Sequence, residues 1–159
     1  MKRRRYLSAT AAGAVAGFSG CLSVFDYTVE LAGVVGINHA EEPKQLEARV
    51  LDGDSEILTT EIELDAAERG DGYVLASHES VECRWSAEAK SFTVEARAAG
   101  KWQSVDVADE VDGNCAVVGL EFGHPFEPDL RFRVDPCDSI DRSSDLFCTF
   151  DESDEHNGE

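Results

Sequence analysis

Apolar and polar residues alternate with period two along most of this chain, and a helical period of 3.6 is almost nowhere to be found. Period two sends successive side chains to opposite faces of a strand. Across Thr28–Asn38, Val29, Leu31, Val35 and Ile37 fall on one face, with Gly33 between them and Glu30 and Asn38 opposite. Gln45–Leu51 sets Leu46, Ala48 and Val50 against Glu47 and Arg49, and Glu56–Leu64 returns with Leu58, Ile62 and Leu64 aligned. Between them Asp52-Gly53-Asp54-Ser55 supplies the positive φ of a tight hairpin turn.

Further along, Asp65–Arg69 suggests one helical turn before Gly70-Asp71-Gly72, and Tyr73–Ala76 a short strand. Val81, Cys83 and Trp85 alternate inward against Glu82 and Arg84. Ser91–Ala98, with Phe92, Val94 and Ala96 inside, turns at Ala99-Gly100 into Lys101–Val107 to make a second hairpin. Asp109–Asn114 is a loop of turn formers, and Cys115–Gly123 is the most apolar strand. Pro125 and Pro128 bracket a bend before Leu130, Phe132 and Val134, which alternate with Arg131 and Arg133. From Asp135 the pattern dissolves, leaving Leu146, Phe147 and Phe150 to bury, and Asp151–Glu159 is an acidic tail. About eight or nine short strands separated by turn formers predict an all-β fold, an antiparallel β-sandwich.

The first twenty-one residues follow a different logic. Lys2, Arg3, Arg4 and Arg5 precede an uncharged run from Ala9 to Phe18. Ten or twelve helical residues cover only about half of a ~30 Å hydrocarbon core, which fits the apolar part of a secretory signal and not a spanning helix. Arg3 and Arg4, followed by Tyr6 and Leu7, resemble the twin-arginine export pattern. Phe18-Ser19-Gly20-Cys21 resembles a lipobox, with Phe in place of the commoner Leu. That resemblance implies cleavage after residue 20 and a lipid on Cys21. A signal peptide of residues 1–20 would then lead into a lipid-anchored linker, 21–27. The β-sandwich would occupy 28–136, followed by a disulfide-pinned segment 137–150 and the tail 151–159.

Charge agrees with an exported chain. The whole sequence carries 33 acids against 14 bases, and without Lys2, Arg3, Arg4 and Arg5 the count is 33 against 10, a net charge of −23. Such a chain repels itself in dilute buffer and is relieved when salt shortens the Debye length to ~3 Å at 1 M. The same charge disfavours nucleic acid or anionic lipid as partners. Acid-rich, lysine-poor chains with this leader resemble exported lipoproteins of salt-loving archaea, a resemblance specific for residues 1–21. The strand pattern resembles the immunoglobulin-like modules of exported proteins in architecture alone, because Cys83 and Cys115 stand closer together than that family's cysteine pair.

Four cysteines remain beyond Cys21, namely Cys83, Cys115, Cys137 and Cys148. An even count outside the cytoplasm indicates two disulfides with three possible pairings. The preferred pairing is Cys137–Cys148, closing an apolar-poor segment, with Cys83–Cys115 inside the sandwich. Zinc is the competing use, but no C-x-x-C pair is present.

Catalytic groups do not assemble into any recognisable motif. His39, His78, His124 and His156 are scattered, and His78-Glu79-Ser80 would point alternate residues to opposite faces of a strand. Two acidic clusters, Asp52-Asp54-Glu56 and Asp106-Asp109-Glu110-Asp112 with Asn114, are weak calcium candidates, since calcium takes six to eight oxygens. Trp85 and Trp102 are the aromatic residues that could stack on a sugar. No cofactor is implied. The sequence therefore leads to an expectation of a lipoprotein on the extracellular face of the cell membrane, held through Cys21. Its small non-enzymatic module would bind an unidentified extracellular protein or ligand. An exported hydrolase-like enzyme and a subunit of an envelope complex are the alternatives.

Overall fold

The structure is a computed structural model that describes residues 27–141 and 143–150. The leader with Arg3 and Arg4, the lipidation candidate Cys21 and the tail 151–159 lie outside the described residues. Ten strands fall in the order β1 (Glu30–Asn38), β2 (Lys44–Asp52), β3 (Ser55–Leu64), β4 (Glu68–Gly70), β5 (Tyr73–Leu75), β6 (Ser77–Ser80), β7 (Phe92–Arg97), β8 (Gln103–Asp106), β9 (Cys115–Phe122) and β10 (Arg131–Pro136). A four-residue helix, α1 (Val107–Glu110), and a 3-10 turn at Cys137–Ser139 complete the described elements.

Two four-stranded sheets, β10-β9-β1-β6 and β3-β2-β7-β8, pack face to face as a β-sandwich, with β4 and β5 as a separate hairpin. The expected hairpins form: β2 pairs with β3 around Gly53 (φ 56°), and β7 pairs with β8. Leu46, Ala48 and Val50, and Phe92, Val94 and Ala96, are buried in the core as their alternation predicted, and β2 and β7 lie side by side. One pair departs from an antiparallel design. β1 and β9 run parallel, from Glu30 beside Cys115 to Asn38 beside Phe122.

β1 also departs from the face assignment made from its alternation. Its register against β9 slips between Leu31 and Gly33, so Ala32 is an extra residue. A bulge of one residue inverts the parity of everything after it. Val29, Leu31 and Val34 consequently face the main core, whereas Ala32, Val35 and Ile37 face the other side of the sheet. Asn38, expected on the polar face, is fully buried.

That other side is covered as well. Residues 137–141 and 143–150 cross it, and Ile140, Leu146 and Phe147 pack against Ala32, Val35, Val117 and Cys137 in a second small core. The cover approaches so closely that a Cβ on Gly33 would sit 2.1 Å from the Leu146 carbonyl oxygen. Nearby, the Cys148 amide donates to the Ala32 carbonyl at 2.6 Å. This double burial explains why Cys115–Gly123 is a nearly unbroken apolar run, as expected of a strand covered on both faces.

The disulfides that hold this cover differ from the preferred pairing. Cys83 bonds Cys148, and Cys115 bonds Cys137, with Cα–Cα distances of 5.7 and 5.4 Å. The reason is register: Ala116 lies opposite Pro136 in the β9–β10 pair, so Cys115 and Cys137 are the next residues facing each other. One bridge thus fastens this segment to β9 and the other to the loop after β6.

Two smaller expectations are corrected. The helical turn proposed at Asp65–Arg69 is replaced by β4, which pairs with β5 across Asp71-Gly72. Val81 and Trp85 are buried as expected, but they lie in the loop after β6 and not in a strand. Trp85 Nε1 donates to the Leu31 carbonyl at 2.6 Å, which anchors that loop to β1.

Candidate functional site

Because β1 and β9 are parallel, they finish at the same pole, and the loops that follow them are brought together there. Asn38 organises this pole. Its Nδ2 donates to the Glu42 and Asp65 carbonyls, both at 2.8 Å, and its Oδ1 accepts from the Ala40 amide at 3.0 Å. One buried amide therefore fixes the loop after β1 and the approach to β4, with both donors and its acceptor engaged. The Ala67 amide donates to the Ala40 carbonyl at 2.8 Å, and Arg69 Nε lies 2.8 Å from Glu41 Oε1. These contacts hold the β4–β5 hairpin beside the loop.

Aromatic and apolar side chains are presented on this frame. The rings of His39 and His124 meet edge to face at 6.1 Å, and His124 lies 5.7 Å from Phe126. Nε2 of His39 is buried and has no hydrogen-bond partner among the described residues. Phe126 is 88% exposed, and Tyr73, Val74 and Leu75 of the hairpin are 63%, 46% and 59% exposed. Of the exposed large apolar side chains among the described residues, these four lie on the β4–β5 hairpin and the bend after β9 at this pole, and the fifth, Tyr27, lies at the other.

The opposite pole receives the chain. Tyr27 precedes β1 there, Val29 bridges to Lys90, and the Glu30 amide donates to the Asn114 carbonyl at 2.8 Å. Nine residues of β1 at about 3.3 Å each place the two poles roughly 30 Å apart.

Other candidate residues are placed as follows. Asp106 ends β8 and accepts from Thr93 Oγ1 at 2.6 Å, while Asp109, Glu110 and Asp112 are exposed on α1 and the loop after it. Of the first acidic cluster, Asp52 pairs with Lys90 at 3.4 Å and Glu56 with Arg49 at 3.9 Å. Among the described residues no three His, Cys, Asp or Glu side chains converge so as to hold a metal ion, so the calcium candidates are not brought together. His78, Glu79 and Ser80 lie exposed along β6.

Trp102 does not stand free for a sugar. Its ring is engaged by two guanidinium groups, with Arg49 Cζ 3.7 Å and Arg97 Cζ 4.6 Å from the ring centroid. Arg97 in turn bonds Glu47, and that hydrogen bond holds the Glu47 carboxyl below its usual range, with the charges of Arg97 and Arg49 acting in the same sense. Glu61, Glu63, Asp65, Glu79 and Glu82 line an open groove between β3 and β6.

Sequence reasoning missed two groupings. Glu121, only 1% exposed, is gripped across the β9–β10 pair by Arg131, whose Nε donates to Oε2 at 2.7 Å. Arg133 Nη1 reaches the other oxygen at 3.2 Å. Arg133 is held above its ordinary value: burial acts against its charge, but Asp135 and Glu121 outweigh it. Counting register outward with Phe126 as the centre of the bend pairs Glu121 with Arg131 and Cys115 with Cys137. The other miss is the meeting of His39 and His124, which depends on a parallel pairing that alternation does not encode. No hydrogen bond or ion pair joins a histidine to a carboxylate among the described residues.

The family described as a domain of unknown function (DUF8130) matches residues 1–60, which take in the residues before β1, then β1, β2 and the start of β3. Among curated proteins no match to the chain was found.

Proposed function

We propose that this protein is a lipid-anchored binding module of the cell envelope, presenting the Phe126 pole to an extracellular protein partner. The observation that carries the reading is the opposition of the two poles: the chain enters at Tyr27, itself exposed, and four of the five exposed large apolar residues among those described, Phe126, Tyr73, Val74 and Leu75, lie at the far end. A leader resembling a twin-arginine lipobox sequence would leave Cys21 as the membrane attachment point. The linker from Cys21 to Tyr27 spans at most about 25 Å, so the entry pole lies near the membrane and the apolar pole faces outward. Both disulfides fit an oxidising compartment. The surplus of acids fits a salt-rich one, as in the exported lipoproteins of salt-loving archaea that the leader resembles.

Two measurements on native membranes test this. Intact mass should begin at Cys21 plus lipid, with no free thiol. A photo-cross-linking residue placed at Phe126 or Tyr73 should capture an envelope protein that the same residue at Asp54, on the entry pole, does not. A retained Met1, or identical captures from both poles, overturns the proposal.

A further inference from the structure

The cover formed by residues 137–141 and 143–150 does not fill the face it crosses. Between it and the β1–β9–β10 sheet lies a cleft of about 350 Å³, walled chiefly by Val35, Ile37, Val117 and Leu146, with Arg133 and Ser144 among its polar lining. Its size is at the lower end of small-molecule sites. Both disulfides tie the cover down, so the gap is preformed.

Two features of the cleft have no structural explanation. Gly119 lies in its lining, in the middle of β9. Its φ is not positive, and a Cβ built on it would meet only ordinary contacts, the nearest being Ile37 Cδ1 at 3.6 Å. Gly33 is excluded from carrying a side chain by the Leu146 carbonyl, but nothing excludes one at 119. Glycine inside a strand weakens it and often marks the close approach of a ligand. The second feature is Ser144 Oγ, which is buried and has no hydrogen-bond partner among the described residues. A buried hydroxyl left unpaired is costly unless something occupies the site.

The charges around the cleft narrow the ligand. Arg133 already donates to Asp135 at 2.6 Å and to Glu121 at 3.2 Å, so it offers no free cation. Asp135 and Asp141 line the same cleft, and Asp141 accepts from the Ser143 amide and hydroxyl at 2.9 and 2.8 Å. Those bonds, the amide's first, hold the Asp141 carboxyl ionised below its usual range. An anionic ligand would enter an acidic mouth on an acidic protein.

We propose that this cleft binds a small neutral amphiphile. Its apolar body of roughly ten non-hydrogen atoms would lie over Gly119 against Val35, Ile37, Val117 and Leu146, on the scale of ~30 Å³ per water in the liquid. Its single hydroxyl or carbonyl pairs with Ser144 Oγ. This site is separate from the Phe126 pole and stands whether or not that pole docks a partner.

The test is an amide chemical-shift titration of the oxidised full chain with menthol as the neutral probe and octanoate as a charged one of similar size. Menthol should give saturable shifts centred on Val35, Val117, Gly119 and Leu146, and octanoate should bind about tenfold more weakly. Gly119→Val should abolish the menthol shifts while the melting temperature holds or rises. If that variant does not fold, Gly119→Ala, whose Cβ has room, should weaken binding in its place. Ser144→Ala should weaken menthol about fivefold without unfolding the protein. Shifts that never saturate or that centre on Phe126 overturn the proposal. So does octanoate binding as tightly as menthol, or binding undiminished in the folded Gly119 variants.

Discussion

Replacing Cys83 and Cys148 together by serine removes the outer of two nested bridges. The Cys115–Cys137 bond closes 22 residues and lies wholly inside the 65-residue loop closed by Cys83–Cys148. In the chain-entropy treatment the inner bond alone contributes about 3.4 kcal/mol and the outer alone about 4.3 kcal/mol. With the inner bond intact the outer loop is already shortened, which lowers its share to about 4 kcal/mol. Folded-state losses should be small, because the Cys148 amide can keep its hydrogen bond to Ala32. The variant should therefore melt roughly 10–20 °C lower in the same buffer. With that hydrogen bond kept and Cys115–Cys137 intact, Ala32, Val35 and Val117 should stay covered, and the folded variant should bind no more hydrophobic dye than the parent. Urea unfolding followed through Trp85 gives the free energy, and a non-reducing digest of the parent gives the linkage. A loss below about 1 kcal/mol would refute the reasoning, as would a peptide joining Cys137 to Cys148.

Four further outcomes can be checked alongside. Asn38→Ala removes three hydrogen bonds and leaves two loop carbonyls unpaired; it should cost about 2–4 kcal/mol and loosen the β4–β5 hairpin, seen as faster amide exchange at Glu68–Leu75. Arg131→Ala strands a buried carboxylate on Arg133 alone and should cost about 2–3 kcal/mol, part of which Glu121→Gln in the same chain should recover in urea melts. Glu47 and Asp141 have folded pKa values below their ordinary 4.5 and 3.8, so each stabilises the protein above those values and the contribution is lost as pH falls through the folded pKa. Stability should decline on acidification below about pH 4.5, and Arg97→Gln should shrink the Glu47 share of that slope. Melting temperature should climb steadily between low salt and 1 M salt, because Lys44, Arg49, Arg69, Arg84, Lys90, Arg97, Arg131 and Arg133 already lie within 4.0 Å of carboxylates and the acids of the chain far outnumber its bases. A flat salt response would count against self-repulsion as a determinant of stability.

Local alternation was enough to determine much of this protein. Leu46, Ala48 and Val50, and likewise Phe92, Val94 and Ala96, point into the core because a half-buried strand must alternate, and Asp52-Gly53 turns because glycine tolerates the positive φ that the hairpin demands. The all-β class, two of the hairpins and the presence of two disulfides were legible for that reason: each depends on residues close together in sequence or on cysteine number. The cover over the outer sheet, the cysteine partners, the grip of Arg131 and Arg133 on Glu121 and the meeting of His39 with His124 were decided by the tertiary structure. They depend on register and strand order, which join residues far apart in the chain. A single bulge at Ala32 shows how sharply the two levels divide. One inserted residue turns Val35 and Ile37 from the main core to the second one and buries Asn38 at the pole, a change that no alternation upstream or downstream of it records.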